Sequence, residues 1–124
     1  MVVDTSAILA VFFREPNAAW VAEQLNARGR ALRMSTVNLA EALIRIHDRQ
    51  PQLADGLEER LLTSGIRFVP PDFRQAQTAA RARLAYPLNL GDCFAYALAK
   101  AEGCAILSLD ADFRALDCPV VMPP

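Results

Sequence analysis

The chain has 124 residues, enough for one packed core and too few for two. Hydrophobic residues make up 53% and charged residues 22%, which excludes a disordered chain and predicts a globular domain over residues 1–124. The formal net charge of −1 excludes a protein drawn to nucleic acid by an overall positive field.

Local basic patches remain open, because 12 of the 13 basic residues are arginine and only Lys100 is lysine. Arginine pairs bidentately with phosphate and stacks on bases, although a compositional bias of the source genome is the simpler cause. No apolar run reaches the roughly 18 residues that a membrane helix needs. Met1-Val2-Val3-Asp4 has no basic segment ahead of its apolar residues, so no secretory signal is expected and a cytoplasmic protein is. Cys93, Cys104 and Cys118 are odd in number and lack C-x-x-C spacing, which argues against a disulfide framework or a zinc site. The only histidine is His47, which weakens any histidine-based metal site or triad.

Along the chain, Met1–Val3 predicts a strand ending at Asp4, then a short helix to Phe13, halted by Glu15-Pro16. Asn17 is placed to cap a helix to about Ala27, with Gly29 beyond it. Ala31–Met34 predicts the second strand, and Ser35 or Thr36 caps a helix to about Asp48. A helix over 52–63 and a strand over Ile66–Val69 follow, then an Arg-rich helix from Asp72 to Leu84. Asp92–Glu102 has almost no polar face and predicts a buried helix opened by Asp92. Ala105–Leu109 is continuously apolar, the pattern of a parallel strand covered on both faces. Asp110–Phe113 predicts a turn, and Val120-Val121 a last strand. Strands alternating with helices predict an α/β fold, three layers with a mainly parallel central sheet.

Ligand crevices of such sheets open at the carboxyl ends of the strands. Asp4 and Asp110 each follow a strand and belong on that edge. Asp92 stands at the positive end of the buried helix's dipole. Glu41 lies at the border of a stripe of Val37, Ala40 and Ile44, with Asn38, Glu41 and Arg45 aligned beside it. Taken singly, each carboxylate has a simpler role as a cap, a turn former or a solvated residue. Together they need a cation to remain ionised side by side, and hard oxygen-binding Mg²⁺ or Mn²⁺ suits them.

Four segments then carry a resemblance. They are Val2-Val3-Asp4-Thr5-Ser6-Ala7-Ile8-Leu9, Asn38-Leu39-Ala40-Glu41-Ala42, Leu90–Ala99 with Gly91-Asp92 at its start, and Leu107-Ser108-Leu109-Asp110-Ala111-Asp112-Phe113. In this order the chain resembles the PIN-domain nucleases, and within them the VapC-type toxins of toxin–antitoxin systems. Ser108 stands where the family often has threonine, which keeps the hydroxyl. The resemblance implies a PIN-like α/β/α fold and an acidic quartet of Asp4, Glu41, Asp92 and Asp110. Asp4 and Asp92 would ligate the metal directly, while Glu41 and Asp110 would bind a second ion or act through water. Asp112 is a weaker acidic candidate, and Ser6 and Asn38 would support the ligands, with helix capping the simpler role for Ser6 and the same ambiguity at Thr5.

The implied reaction is phosphodiester hydrolysis in structured RNA, tRNA or rRNA, by metal-activated water. Arg45 and Arg81 are candidate RNA contacts, with Arg14, Arg49 and Arg83 behind them. The resemblance also implies a VapB-like antitoxin that packs in a groove near the site, and a homodimer. Phe12, Phe13 and Trp20 could serve either surface or pack in the core. Two rival readings stay open. An aspartyl-phosphate enzyme would use Asp4 as nucleophile, but Ser6 occupies its second acidic position and no suitably placed lysine follows. A silent PIN-like module would bind RNA or protein without needing four carboxylates.

Overall fold

The computed structural model describes residues 1–124. The elements are β1 (Val2–Val3), α1 (Thr5–Phe12), α2 (Ala18–Asn26), β2 (Arg33–Ser35), α3 (Thr36–Arg49) and α4 (Ala54–Leu62), followed by β3 (Arg67–Val69), α5 (Phe73–Ala85), α6 (Leu90–Glu102), β4 (Ile106–Leu107), a 3-10 turn over Ala111–Ala115 and β5 (Val120–Val121). All five strands are parallel, in the order β3-β2-β1-β4-β5. No helix is long and apolar enough to cross a membrane.

Alternation of side chains along the strands builds two cores from one short sheet. Val3 and Leu107 face α1 to α4, where Ile8, Val21, Ile46, Leu57 and Leu61 pack. Val2 and Ile106 face α5 and α6, where Ala79, Ala82, Ala95, Leu98 and the fully buried Phe113 pack. This is the three-layer α/β/α arrangement expected from the sequence.

The strand order matters for the site. From β1 the chain crosses toward β2 and β3, whereas from β4 it crosses to the other side, to β5. The neighbouring strands β1 and β4 therefore send their following segments in opposite directions. That divergence leaves a crevice at their carboxyl ends, the topological switch point of an open parallel sheet.

Several boundaries differ from the sequence expectation for identifiable reasons. β2 runs on to Ser35, whose side chain also accepts the Val37 N–H at 3.3 Å and caps α3. Asn17 occupies the cap position of α2, yet its side chain makes no cap bond. α6 starts at Leu90 rather than at Asp92, because Asn89 is its cap and Asp92 closes a capping box. β4 is only Ile106–Leu107, although the Ser108 N–H still donates to the Val121 carbonyl at 3.2 Å.

The face of α3 also differs. Its buried stripe is Asn38, Ala42 and Ile46, while Ala40 is exposed and Ile44 is 60% exposed. The stripe of Val37, Ala40 and Ile44 is therefore not the core face. The helix is rotated so that the polar Asn38 goes inward, and Glu41 lies on the other flank.

Candidate active site

The site is built around the Asp4 carboxylate, which is 2% exposed at the end of β1. Asp4 holds the cap position of α1 but makes no side-chain cap bond. Its Oδ2 instead accepts the Ser6 hydroxyl at 2.8 Å and the Ser108 hydroxyl at 2.9 Å. Each serine oxygen in turn accepts a backbone N–H: Leu109 donates to Ser6 Oγ and Asp110 to Ser108 Oγ, both at 3.0 Å. Two hydroxyls thus fasten the start of α1 to the segment leaving β4. Ser6 does not cap the helix. Ser108, noted in the sequence only for keeping a hydroxyl, is a full partner in this junction.

Asp92 comes from the first turn of α6 and is buried. Its Oδ2 accepts the Asn89 N–H at 3.2 Å, and Asn89 Oδ1 accepts the Asp92 N–H at 2.8 Å. The local capping role and the position in the site belong to the same carboxylate, so neither reading displaces the other. Asp110 caps the 3-10 turn by accepting the Asp112 N–H at 2.9 Å. Asp112 itself is exposed and lies outside the pocket.

Glu41 reaches the site from α3 and rests its carboxylate on Gly91. A methyl group at position 91 would lie 2.7 Å from Glu41 Oε2 and 2.9 Å from Oε1. The missing side chain of Gly91 is therefore the seat of Glu41, beside Asp92. Asn38, one turn earlier, is fully buried and donates from Nδ2 to the Gly91 carbonyl at 3.0 Å. Its own carbonyl accepts the Thr5 hydroxyl at 3.2 Å. Asn38 thereby ties together the three segments that carry Asp4, Glu41 and Asp92. Thr5 was legible in the sequence, with Ser6, as a support for the ligands or a cap, and Gly91 only as the neighbour of Asp92.

The four carboxylates line one pocket of about 340 Å³, with Thr5, Ser6, Leu9, Glu15, Arg45, Asn89 and Leu109. Sequence reasoning missed Glu15, which the turn at Arg14 (φ 53°) brings back toward the site. Of the five arginines considered from the sequence, only Arg45 lines the pocket. Arg49 stacks over Phe13 at 4.1 Å, and Arg14, Arg81 and Arg83 lie outside.

No member of the quartet forms an ion pair, since the ion pairs are Arg33 and Arg67 with Glu102, and Lys100 with Asp117. The electrostatic consequence is visible in the acids. Burial pushes Asp92 up to about 7, and the charges of Asp4, Asp110 and Glu41 add to it. Burial also raises Asp4, with a further push from Glu41, against the lowering effect of the two serine bonds.

An all-oxygen donor set in which no carboxylate is ion-paired fits a hard divalent cation. No three of the four carboxylates bring oxygens within 4.8 Å of one another, a spacing met only by the exposed His47 and Asp55 with the half-buried Glu58. That openness suits an ion that keeps much of its water and takes one or two carboxylates, as Mg²⁺ does.

Two outcomes follow from this geometry. Gly91→Ala leaves α6 intact, because alanine favours a helix, but displaces the Glu41 carboxylate. Mn²⁺ affinity measured by calorimetry then falls about tenfold or more, with the thermal midpoint retained. Unchanged affinity would remove Gly91 from the site's design. The second outcome concerns pH in metal-free protein. The Asp92 acid is raised from its ordinary value of 3.8 to about 7 on folding, so the folded state binds the extra proton. Its contribution to stability is fully present below about pH 4 and is lost as pH rises through about 7. Urea unfolding midpoints of wild type minus Asp92→Asn should fall across that window, and a flat difference would contradict the burial described.

The model of the PIN domain family matches residues 1–118. Ribonuclease VapC42 of Mycobacterium tuberculosis is 36% identical over 127 aligned residues, covering 94% of this chain and 95% of that protein. A ribonuclease VapC of Mycolicibacterium smegmatis is 36% identical over 133 aligned residues, covering 98% and 99%. Among solved structures, VapC20 of Mycobacterium tuberculosis, described as a sarcin-ricin loop cleaving toxin, superimposes with a TM-score of 0.84 at 16% identity, covering 98% of each chain. VapBC2 of Rickettsia felis, bound to a promoter DNA fragment, does so with a TM-score of 0.79 at 12% identity, covering 98% of this chain and 96% of that one. Fold, pocket and sequence agree, and this chain belongs to the PIN-domain family, among the VapC ribonucleases.

Proposed function

We propose that this chain is a Mg²⁺- or Mn²⁺-dependent endoribonuclease, the toxin of a VapBC-type pair, acting in the cytoplasm on structured RNA such as tRNA or rRNA. The observation that carries this reading is the convergence of four carboxylates, none of them ion-paired, in one strand-end pocket. The names of the relatives, ribonucleases and toxin–antitoxin complexes, support the same substrate class and an antitoxin partner.

In this reading Asp4 and Asp92 hold the metal directly. Glu41 and Asp110 face the same space and bind a second ion or orient the attacking water. Ser6, Ser108 and Asn38 fix these carboxylates through the bonds described above. When bound, the cation polarises the scissile phosphate and lowers the pKa of water at the site. The pocket holds no lysine or histidine, so its only side-chain proton acceptors are the carboxylates. Arg45, at the same pocket and without an ion-pair partner, contacts a phosphate of the bound RNA. Arg81 lies on the exposed face of α5 and makes at most a peripheral contact.

The apolar cleft of about 270 Å³ lined by Ile8, Val11, Phe12, Leu25 and Leu61 receives a segment of the VapB-like antitoxin. Trp20 packs against the same core but lies outside this cleft. The active form is a homodimer of this single domain.

Purified protein should cleave total RNA with Mg²⁺ or Mn²⁺. EDTA, or Asp4→Asn or Asp92→Asn with the circular dichroism spectrum unchanged, should abolish cleavage. Full activity in metal-free buffer would overturn the mechanism, and RNA binding without cleavage under any metal would mark a silent binding module. For the arginines, Arg45→Glu should weaken RNA affinity about tenfold or more, and Arg81→Glu much less. Equal affinities for wild type and Arg45→Glu in a filter-binding assay would exclude Arg45 as a contact.

A further inference from the structure

Glu15 is a further carboxylate in the acidic pocket, and its setting differs from that of the quartet. Asp4 and Asp92 are buried and Glu41 and Asp110 half-buried, whereas Glu15 is exposed, as is Arg45. These two exposed side chains stand at the mouth of the pocket, and the quartet forms its floor and walls. They carry opposite charges, yet they pair neither with each other nor with any other charged group. A free carboxylate at the mouth repels the phosphates of RNA and needs a hydrogen-bond donor once RNA covers it.

The fold holds Glu15 there at a conformational cost. α1 ends in a Schellman motif, in which the Arg14 N–H donates to the Val11 carbonyl at 3.3 Å and the Glu15 N–H to the Ala10 carbonyl at 2.9 Å. Arg14 takes the left-handed position (φ 53°), where glycine is usual, and it is the only non-glycine residue of the chain with a positive φ. The Glu15 carbonyl accepts the Ala18 N–H at 3.0 Å, and Pro16 disfavours helical backbone at Glu15. Phe13, at the start of the turn, lies under the guanidinium of Arg49 at 4.1 Å, one helical turn beyond Arg45 on α3. Both backbone groups of Glu15 are thus bonded within the fold, and the turn is clamped to the helix that carries Arg45. The carboxylate remains free.

We infer that Glu15 sets base specificity: a nucleotide spans the pocket mouth with its phosphate on Arg45 and the Watson–Crick edge of an unpaired guanine on Glu15. This rests on the ribonuclease reading and on the phosphate contact of Arg45. A carboxylate accepts hydrogen bonds and donates none, so phosphate oxygens cannot satisfy it and base N–H groups can. Unpaired RNA bases are read on their Watson–Crick edges. Guanine alone presents two adjacent donors there, N1–H and N2–H, which meet both oxygens of one carboxylate as a guanidinium does. Adenine and cytosine each set one amino donor beside a bare ring nitrogen, and uracil sets N3–H between two carbonyls. Those acceptors repel a carboxylate.

Nucleoside 5′-monophosphates carry the phosphate and the base but no phosphodiester to cut, so they report binding apart from cleavage. In NMR titrations of the full chain with Mg²⁺ present, 5′-GMP should bind about tenfold more tightly than 5′-UMP, with 5′-AMP and 5′-CMP close to 5′-UMP. Glu15→Gln sets a donor beside an acceptor, a pair that every base can match, and should erase the difference, as should Glu15→Ala. RNA ends sequenced after cleavage of a hairpin library with a randomised loop should show guanine at a fixed position beside the cut for wild type and no such enrichment for Glu15→Gln. Equal affinity of wild type for all four nucleotides, or the same order in Glu15→Gln, would overturn the base contact. A common shift of all four nucleotides on substitution, with altered Mn²⁺ affinity, would overturn it too and assign Glu15 to the cation. A guanine preference in binding with no RNA cut under any metal would uphold the base contact and overturn the ribonuclease reading instead.

Discussion

The Asp4 carboxylate is held by two serine hydroxyls, from Ser6 and Ser108, and much of the site depends on that junction. Each hydroxyl spends its proton on the acid and its lone pairs on a backbone N–H from the segment leaving β4. A buried acid would be costly without such donors, and the acid in turn adds a side-chain tie to the backbone pairing of β1 with β4. The junction joins two strands that are neighbours in the sheet yet far apart in sequence. It forms where the chain paths from β1 and β4 diverge, the only place in this sheet where such a gap opens.

The other half of the site is assembled by helices pressed against that gap. Asn38 goes inward on α3 against the usual preference for apolar core residues, and it bonds the Gly91 carbonyl at the start of α6. That contact brings α3 close enough for Glu41 to sit on the bare Cα of Gly91. The cost is electrostatic. Four acids share a small volume and none forms an ion pair, and Asp92 is left as a poor acid, raised to about 7. A fold that gathers these acids without pairing any of them to a side chain is suited to a cation from outside. Stability and function pull in opposite directions at the same residues, as is common where ionisable groups are gathered for chemistry.

Much of this was legible in the sequence. The short apolar runs at Met1–Val3 and Ala105–Leu109 and the helical periods between them pointed to a parallel α/β sheet, and the position of Asp4 and Asp110 just past those runs placed them at its crevice edge. Those signals are local, and local patterning governs where strands end. Glu41 was different. Its apparent stripe of Val37, Ala40 and Ile44 suggested a core face that the structure leaves largely to solvent, because Asn38, Ala42 and Ile46 bury instead. Periodicity alone cannot reveal a polar residue chosen for the core by a partner on another helix.

The sequence by itself therefore determined the class of fold, the strand-end acids and the family. Each depends on residue patterns within a few positions of one another. Only the tertiary structure decided that Ser108 shares Asp4 with Ser6, that Gly91 seats Glu41, and that Arg45 alone of the candidate arginines reaches the pocket. Those relations join residues separated by many tens of positions or set by strand register. Such distances are fixed by how the sheet is ordered and how the helices pack, which no local pattern of side chains encodes.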